Sequence, residues 1–217
     1  MVYPVAEKFK SIQGEGYFTG VPMAFIRFAG CSVGKKVCTY CDTDFDRINT
    51  AKGGGKFTQA NLADWVGDYD HVCLTGGEPL DRDIAGLIDY LDDHKRTVHI
   101  ETSGTVRNRK VTDMRRVWLT VSPKPGWHQA LINRADEIKV IYTGLGAEVD
   151  ISLGPGSVWP SVDHAVMWSK QGKIVYLQPC NNENSIDADE LLSVVNVVNN
   201  NPTLRLSIQM HKYIEVR

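Results

Sequence analysis

The chain has 217 residues, of which 42% are hydrophobic and 23% charged, enough to bury one substantial core and too few to require two. Lys and Arg total 24 against 26 Asp and Glu, so the formal charge is −2 and no basic surplus indicates a nucleic-acid partner. The sequence starts without a signal-peptide layout and lacks any run of about 18 apolar residues, so we expect a cytoplasmic protein with no membrane partner.

The apolar segments of the chain predict seven strands. These segments are short, rich in β-branched and aromatic residues, and bounded by Gly, Pro, Ser or Asp clusters. In chain order they cover residues 21–30, 71–75, 97–102, 117–122, 137–142, 173–179 and 204–209. The Gly-rich segment 51–57 is predicted to be a flexible surface loop, and the aperiodic segment 145–160 a long connection.

Three helices are predicted by apolar residues that recur at i, i+3, i+4 and i+7. They cover residues 62–69, 84–91 and 188–198. Because helices alternate with strands, the pattern indicates βα units and a largely parallel sheet. The pattern does not determine whether that sheet closes.

A cysteine-rich loop follows the first predicted strand. Cys31, Cys38 and Cys41 are spaced C-x6-C-x2-C. Three thiolates can hold a four-iron cluster by three corners and leave one iron open, whereas an electron-transfer cluster or a structural zinc site takes a fourth ligand. The loop therefore predicts a [4Fe–4S] cluster. Structural zinc is the alternative, with a fourth ligand from Cys73, Cys180 or a histidine.

The two remaining cysteines stand apart from this loop. The five cysteines are an odd number, which suits a metal centre better than a disulfide framework. Cys73 lies in the apolar run HVCLT and is predicted to be a small buried thiol. Cys180 follows a predicted strand, where a place in the wall of a site is open but not favoured.

The motif LTGGEPL, residues 74–80, follows the second predicted strand. It places two glycines and Glu-Pro at the carboxyl end of a strand, where the sites of βα folds are built. Glycines there let the backbone approach a ligand, although a plain tight turn is the alternative. Together with the cysteine loop, this motif resembles the radical S-adenosylmethionine superfamily, in which the cofactor's methionyl amine and carboxylate chelate the open iron.

Further matching segments lie towards both ends of the chain. They are KSIQGEGYFTGVPMAFIRFAGCS at residues 10–32, the CDT that follows, and the late QMHK. With these segments the chain resembles the 7-carboxy-7-deazaguanine synthase family of the 7-deazapurine (queuosine precursor) pathway. The resemblance implies one radical S-adenosylmethionine domain over residues 1–217, folded as an α/β incomplete (β/α) barrel with a mostly parallel sheet. It places the cluster loop 31–43 and the tail 209–217 near the site.

The resemblance also implies the reaction. The family is a carbon–nitrogen lyase that converts 6-carboxy-5,6,7,8-tetrahydropterin to 7-carboxy-7-deazaguanine with loss of ammonia. A reduced [4Fe–4S] cluster would cleave S-adenosyl-L-methionine, and the resulting 5′-deoxyadenosyl radical would abstract hydrogen from the pterin. Mg²⁺, a flavodoxin or ferredoxin-type reductant and a homodimer are implied in the same way. Whether the deazapurine enters tRNA, DNA or a secondary metabolite is not determined.

Roles for individual residues follow from the same resemblance. Cys31, Cys38 and Cys41 would ligate the cluster. Thr43 would ligate Mg²⁺. The contacts to S-adenosylmethionine would be Tyr40, Cys41, Asp42, Gly77, Glu101, Ser122, Pro123, Lys124 and Gln178. The contacts to the pterin would be Ile12, Gln13, Gly14, Glu15, Arg27, Thr75 and His211. No side chain is assigned to catalysis beyond the cluster and cofactor.

Arg27 is a lone cation in the otherwise apolar strand 21–30, on the face that alternation also gives to Met23 and Phe25. A cation buried there needs an anion. The resemblance supplies the substrate carboxylate, which a guanidinium can hold with two parallel hydrogen bonds. An internal ion pair is the alternative.

The sequence also departs from the superfamily, whose common spacing is C-x3-C-x2-C. Three additional residues lie within SVGKKV, between Cys31 and Cys38, and the path of this longer loop is not predicted. Two other functions stay open. A glycyl-radical-enzyme activase would share the cysteine loop and GGEP, but Arg27, CDT and QGEG count against it. A zinc-stabilised binding module would be a colourless protein that is not an enzyme.

Overall fold

The computed structural model describes residues 1–41, 43–142, 159–180 and 187–216. Its strands are β1 (Val2–Ile12), β2 (Pro22–Phe28), β3 (Gly55–Thr58), β4 (His71–Gly76), β5 (Thr97–Thr102), β6 (Val117–Val121), β7 (Glu137–Tyr142), β8 (Ile174–Pro179) and β9 (Arg205–Leu206). They form one nine-stranded sheet in the order β3-β1-β2-β4-β5-β6-β7-β8-β9. β1 pairs antiparallel with β2 and β3, and the other pairings are parallel. Within the described ranges the outer strands do not pair with each other, so the predicted open, mostly parallel α/β sheet is confirmed.

The helices connect these strands. They are α1 (Gln59–Val66), α2 (Ala85–Asp93), α3 (Arg109–Thr112), α4 (Gln129–Arg134), α5 (Val162–Lys170), α6 (Ala188–Asn200) and α7 (Met210–Tyr213). The predicted helices correspond to α1, α2 and α6. In the described part of the chain, no helix has the length and apolar character that a membrane span needs.

Strands β5 and β7 each have one apolar and one polar face. Along β5, Val98 and Ile100 belong to the main buried cluster, whereas Glu101 lies on the opposite face by alternation. Along β7, Val140 joins the same cluster and Lys139 lies on the other face. The helices cover the apolar side, so the concave side of the open barrel collects the polar side chains.

Two strands are additional to those predicted, and the prediction of a flexible loop at 51–57 was wrong. Part of that segment is β3, which pairs with β1. A Cβ atom on Gly54 would lie only 2.2 Å from the carbonyl oxygen of Ala6. The glycine therefore serves close backbone approach rather than flexibility. β1 itself was hidden because Lys8 and Lys10 interrupt its apolar pattern and instead lie over aromatic rings beside the sheet.

The last predicted strand, 204–209, is much shorter in the structure. Only Arg205–Leu206 pairs as β9, because the following residues turn towards neighbouring side chains. Ser207 Oγ donates to Gln178 Oε1 at 2.8 Å, and Gln209 Nε2 donates to Glu15 Oε1 at 2.7 Å. Of the long connection predicted at 145–160, all but the last two residues lie outside the described part of the chain.

Candidate active site

A cavity of about 270 Å³ opens at the carboxyl ends of the parallel strands, the end where βα folds build their sites. The predicted site residues that line it are Ile12, Gln13, Gly14, Glu15, Arg27, Cys31, Cys38, Tyr40, Cys41, Thr43, Thr75, Gly77, Glu101, Ser122, Lys124, Gln178 and His211. Pro123 is buried and does not reach the cavity wall. Asp42 lies outside the described residues. One cavity thus brings together residues predicted for cluster, cofactor and substrate.

The three clustered cysteines lie on the loop that follows β2. Cys31, Cys38 and Cys41 are all half-buried, and their side chains line the cavity. Backbone hydrogen bonds within the loop stabilise its conformation. The N–H of Cys38 donates to Gly34 O at 3.1 Å, and the N–H of Cys41 donates to Cys38 O at 3.0 Å. Asp81 fixes its first residues by accepting hydrogen bonds from the Ser32 N–H and hydroxyl at 2.8 and 2.6 Å.

The glycines of GGEP pack against this loop. The N–H of Gly77 donates to Phe28 O at 3.0 Å, and the N–H of Glu78 donates to Gly30 O at 3.3 Å. A Cβ atom on Gly77 would lie 1.8 Å from Gly30 O and 3.1 Å from the Cβ of Cys31. The missing side chain is therefore needed for the contact between the end of β4 and the start of the cysteine loop.

Glu78 of the same motif is a buried structural carboxylate. It accepts hydrogen bonds from the Leu80 N–H at 3.0 Å and the Thr102 hydroxyl at 2.7 Å. It also accepts from the N–H and hydroxyl of Ser103 at 2.9 and 2.5 Å. Burial raises the pKa of Glu78, and these hydrogen bonds oppose the shift. Glu78 joins the turn after β4 to the end of β5.

A second group of polar side chains lies where β4, β5 and the QGEG loop (residues 13–16) meet. Glu101 accepts hydrogen bonds from Gln13 Nε2 at 3.2 Å and from the Thr75 hydroxyl at 3.1 Å. The side-chain oxygen of Gln13 in turn accepts from the N–H of Glu15 at 3.2 Å. Four residues predicted separately as ligand contacts therefore form one hydrogen-bonded group.

Arg27 has the internal partner that the sequence left open as an alternative. Its Nη1 lies 2.9 Å from Glu7 Oε1, and its guanidinium lies 5.2 Å from the centre of the Phe9 ring. Both partners come from β1, the strand that was not predicted. The Arg27 side chain is still 31% exposed and lines the cavity, so it can bind a further anion there.

The sequence analysis missed Lys139, which lies in the middle of β7. Its ammonium forms an ion pair with Glu15, and both side chains are largely buried. Burial alone would raise the pKa of Glu15, but Lys139 and the surrounding hydrogen bonds lower it to about 2. A lone lysine inside the apolar run EIKVIY was the available signal, of the same kind that singled out Arg27.

The other two cysteines differ in environment. Cys73 is fully buried in a small apolar cluster with Met23 and Phe25, as predicted. Cys180 lines the cavity, a position that the sequence analysis did not favour. Its backbone N–H donates to Tyr142 O at 3.0 Å, which extends the pairing of β7 with β8 and holds Cys180 at the cavity wall.

The tail contacts the QGEG loop directly. The N–H of Met210 donates to Gly14 O at 2.9 Å, and a Cβ atom on Gly14 would lie 2.0 Å from Nδ1 of His211. Gln209 reaches Glu15, as described above. Segments from near the two ends of the chain therefore form one wall of the cavity.

Comparison with known proteins decides the family. The chain is 36% identical over 219 residues to 7-carboxy-7-deazaguanine synthase of Bacteroides thetaiotaomicron, and 33% identical over 244 residues to that of Escherichia coli K12, with all of both chains covered in each case. The chain belongs to the 7-carboxy-7-deazaguanine synthase family. The crystal structure of QueE from Escherichia coli has a TM-score of 0.71 and 28% identity, covering 97% of this chain and 95% of that one. No family model matches.

Membership in this family confirms several predictions. The chain is a lyase of the radical S-adenosylmethionine type with the incomplete barrel fold, and its cofactors are a [4Fe–4S] cluster and S-adenosylmethionine. Within the described residues, no group of three or more His, Cys, Asp or Glu side chains is arranged to hold a single metal ion. A cubane binds its three thiolates at separate irons and does not need them to converge.

The residues around the cysteines fit such a cluster. Burial raises the pKa of Cys38 to about 11, and the nearby ammonium of Lys124 opposes this shift. Iron, when bound, would favour the thiolate form of Cys38. The hydroxyl of Tyr40 is buried and has no hydrogen-bond partner in the described part of the chain. A polar atom of this kind beside the cysteines is consistent with a bound group.

Proposed function

We propose that this chain binds 6-carboxy-5,6,7,8-tetrahydropterin in the cavity and contracts its ring to 7-carboxy-7-deazaguanine with release of ammonia. The observation that carries the proposal is the convergence of the three clustered thiols, Arg27 and the QGEG loop on one cavity. The full-length likeness to enzymes named for that product supports it.

The protein's own part in this reaction is to bind and orient the substrate. Arg27 would hold the pterin carboxylate. Its guanidinium is itself held by the ion pair with Glu7 and the contact with the Phe9 ring. Gln13, Glu15 and Glu101 would offer amide and carboxylate groups to the hydrogen-bonding edges of the heterocycle. When bound, the cluster and S-adenosylmethionine supply the radical that starts the rearrangement.

Thr43 belongs to the proposal as a ligand of Mg²⁺. It lines the same cavity as Arg27 and would provide one oxygen ligand. Because Mg²⁺ takes about six hard oxygen ligands, substrate oxygens and water would complete its coordination. This arrangement would place the ion against the substrate rather than in a closed protein site.

The remaining parts of the proposal rest on the family resemblance. They are a single domain over residues 1–217, a homodimer, a cytoplasmic location, and a flavodoxin or ferredoxin-type protein as the electron donor. The predicted contacts of the individual site residues with cofactor and pterin belong to the proposal as well.

The proposal is tested with the anaerobically purified, reduced protein, which we expect to be brown and to hold about four irons per chain. Incubation with S-adenosylmethionine, Mg²⁺ and the carboxytetrahydropterin should give 7-carboxy-7-deazaguanine, detected by mass spectrometry. Omission of Mg²⁺ or the variant Thr43→Ala should lower the rate at least about tenfold. Formation of 5′-deoxyadenosine without the deazaguanine acid would keep the radical chemistry and reject the substrate.

A further inference from the structure

Lys139 is a buried cation that forms an ion pair with Glu15 at the cavity wall. It lies on the polar face of β7, its side chain is 8% exposed, and its ammonium pairs with Oε2 of Glu15. Burying a charge is costly unless it is paired, and a hydrophobic residue would fill this place without that cost. A lysine here therefore calls for a reason beyond packing.

The hydrogen bonds of Glu15 show how many acceptor positions of its carboxylate remain for a ligand. Oε1 accepts from Gln178 Nε2 at 3.3 Å and from Gln209 Nε2 at 2.7 Å, while Oε2 faces Lys139. A carboxylate offers about four acceptor positions, so three donors leave about one, on a side chain that lines the cavity. The two glutamines and the lysine fix the carboxylate from three different segments of the chain.

We propose that Lys139 is a positioning residue, which holds Glu15 ionised and in place to accept one N–H donor from the amino-pyrimidinone edge of the bound pterin. This inference rests on the function proposed above. That edge carries an amino group beside a ring N–H, and hydrogen bonds to an ionised carboxylate are about twice as strong as neutral ones. Lys139 also lines the cavity, and we assign it to act through Glu15.

The charges around Glu15 agree with this role. Burial would raise its pKa, whereas Lys139 lowers it most and His211 lowers it further. For Lys139, burial would lower its pKa, whereas Glu15, Glu101 and Glu137 raise it. The charge of Glu15 also acts on Cys73. Burial raises the pKa of the Cys73 thiol, and Glu15 raises it further, so this thiol stays neutral. Without Lys139, burial would favour the protonated form of Glu15.

The test measures binding of pterin-6-carboxylate, a stable oxidised analogue, to the cluster-loaded protein by equilibrium dialysis. We expect Lys139→Met to raise Kd at least about tenfold at neutral pH and Lys139→Arg to recover most of the affinity. The Kd ratio of Lys139→Met to wild type should grow as the pH falls from about 8 to about 5.5, because Glu15 becomes protonated in the variant.

Two further variants separate positioning from folding. Lys173→Met removes a lysine that binds the Asn133 and Ala135 carbonyls away from the cavity, and it should leave Kd within about twofold. In the Glu15→Gln background, Lys139→Met should cost no further affinity, since its partner charge is already gone. This double variant buries no unpaired charge and should fold, as circular dichroism can check.

The outcomes distinguish the two proposals. An equal, pH-independent loss of affinity for Lys139→Met in both backgrounds would mean that the lysine only fills space, and the inference would be wrong. An affinity unchanged by Lys139→Met would also reject it. If the wild-type protein fails to bind the pterin at all, the proposed function itself is rejected.

Discussion

The guanidinium of Arg27 binds a partner within the protein and also faces the ligand cavity. The ion pair with Glu7 anchors one nitrogen of the guanidinium, while the side chain still lines the cavity. A planar guanidinium can serve two anions at once, whereas an ammonium is a single point charge. The residue is therefore suited to hold a carboxylate ligand in a fixed orientation.

The variant Arg27→Lys tests this arrangement. We expect at least about a tenfold rise in Kd for pterin-6-carboxylate, because the two parallel hydrogen bonds cannot form, with about four irons per chain retained. Arg134→Lys is the matched control, since Arg134 binds the backbone carbonyls of Met114 and Val117 outside the cavity. Equilibrium dialysis and iron analysis give the two readouts. A loss of iron with unchanged pterin affinity would contradict the assignment.

Among the elements, the turn after β4 and the loop after β2 are joined through backbone contact. Parallel pairing of Phe28 with Gly76 brings the two strand ends together, and the missing Cβ of Gly77 lets the Gly30 carbonyl approach. The two motifs that stood out in the sequence are therefore one structural unit. Each supports the other's backbone.

The variant Gly77→Ala should break this unit. The new Cβ would lie 1.8 Å from a backbone oxygen, so the cysteine loop must move, at a cost of about 1–3 kcal/mol in the free energy of unfolding. We expect less than about half the iron per chain and a lower Tm. Gly86→Ala is the control, because its Cβ would lie 3.7 Å from the nearest atom and alanine favours the helix. Full iron content in Gly77→Ala would show that the loop does not depend on this contact.

The elements also show where sequence patterns were sufficient. The strands at 97–102 and 137–142 were predicted with the bounds that the structure has, because β-branched runs bounded by turns are a local property. β1 and β3 escaped the pattern, since charged residues interrupt β1 and β3 is only four residues long. Their pairing depends on each other and on β2, which no single segment reveals.

The whole molecule closes its cavity with segments from near both ends of the chain. The QGEG loop follows β1, and the tail follows β9, at opposite sides of the strand order. They meet through the Gly14 and Gln209 contacts. Substrate binding should therefore depend on residues that contribute little to the core.

Truncation of the chain after Gln209 tests this dependence. We expect Kd for pterin-6-carboxylate to rise at least about tenfold, because His211 and the support of Gly14 are lost. The Tm should change by only a few degrees, since α7 has no buried residue. A chain that ends at Tyr213 keeps these contacts and should bind like the full chain. Equal affinity for both truncated forms would show that the tail does not form part of the binding site.

The sequence by itself determined the local chemistry: the cysteine loop, GGEP, the alternation of strands and helices, and the family. These features are short motifs or periodic patterns, which need no knowledge of distant partners. The tertiary structure alone decided the partners of the buried charges. Glu15 and Lys139 are 124 positions apart, and Gln209 lies 194 positions from Glu15. Alternation gives the face on which a side chain lies, but strand order and sheet curvature decide what faces it.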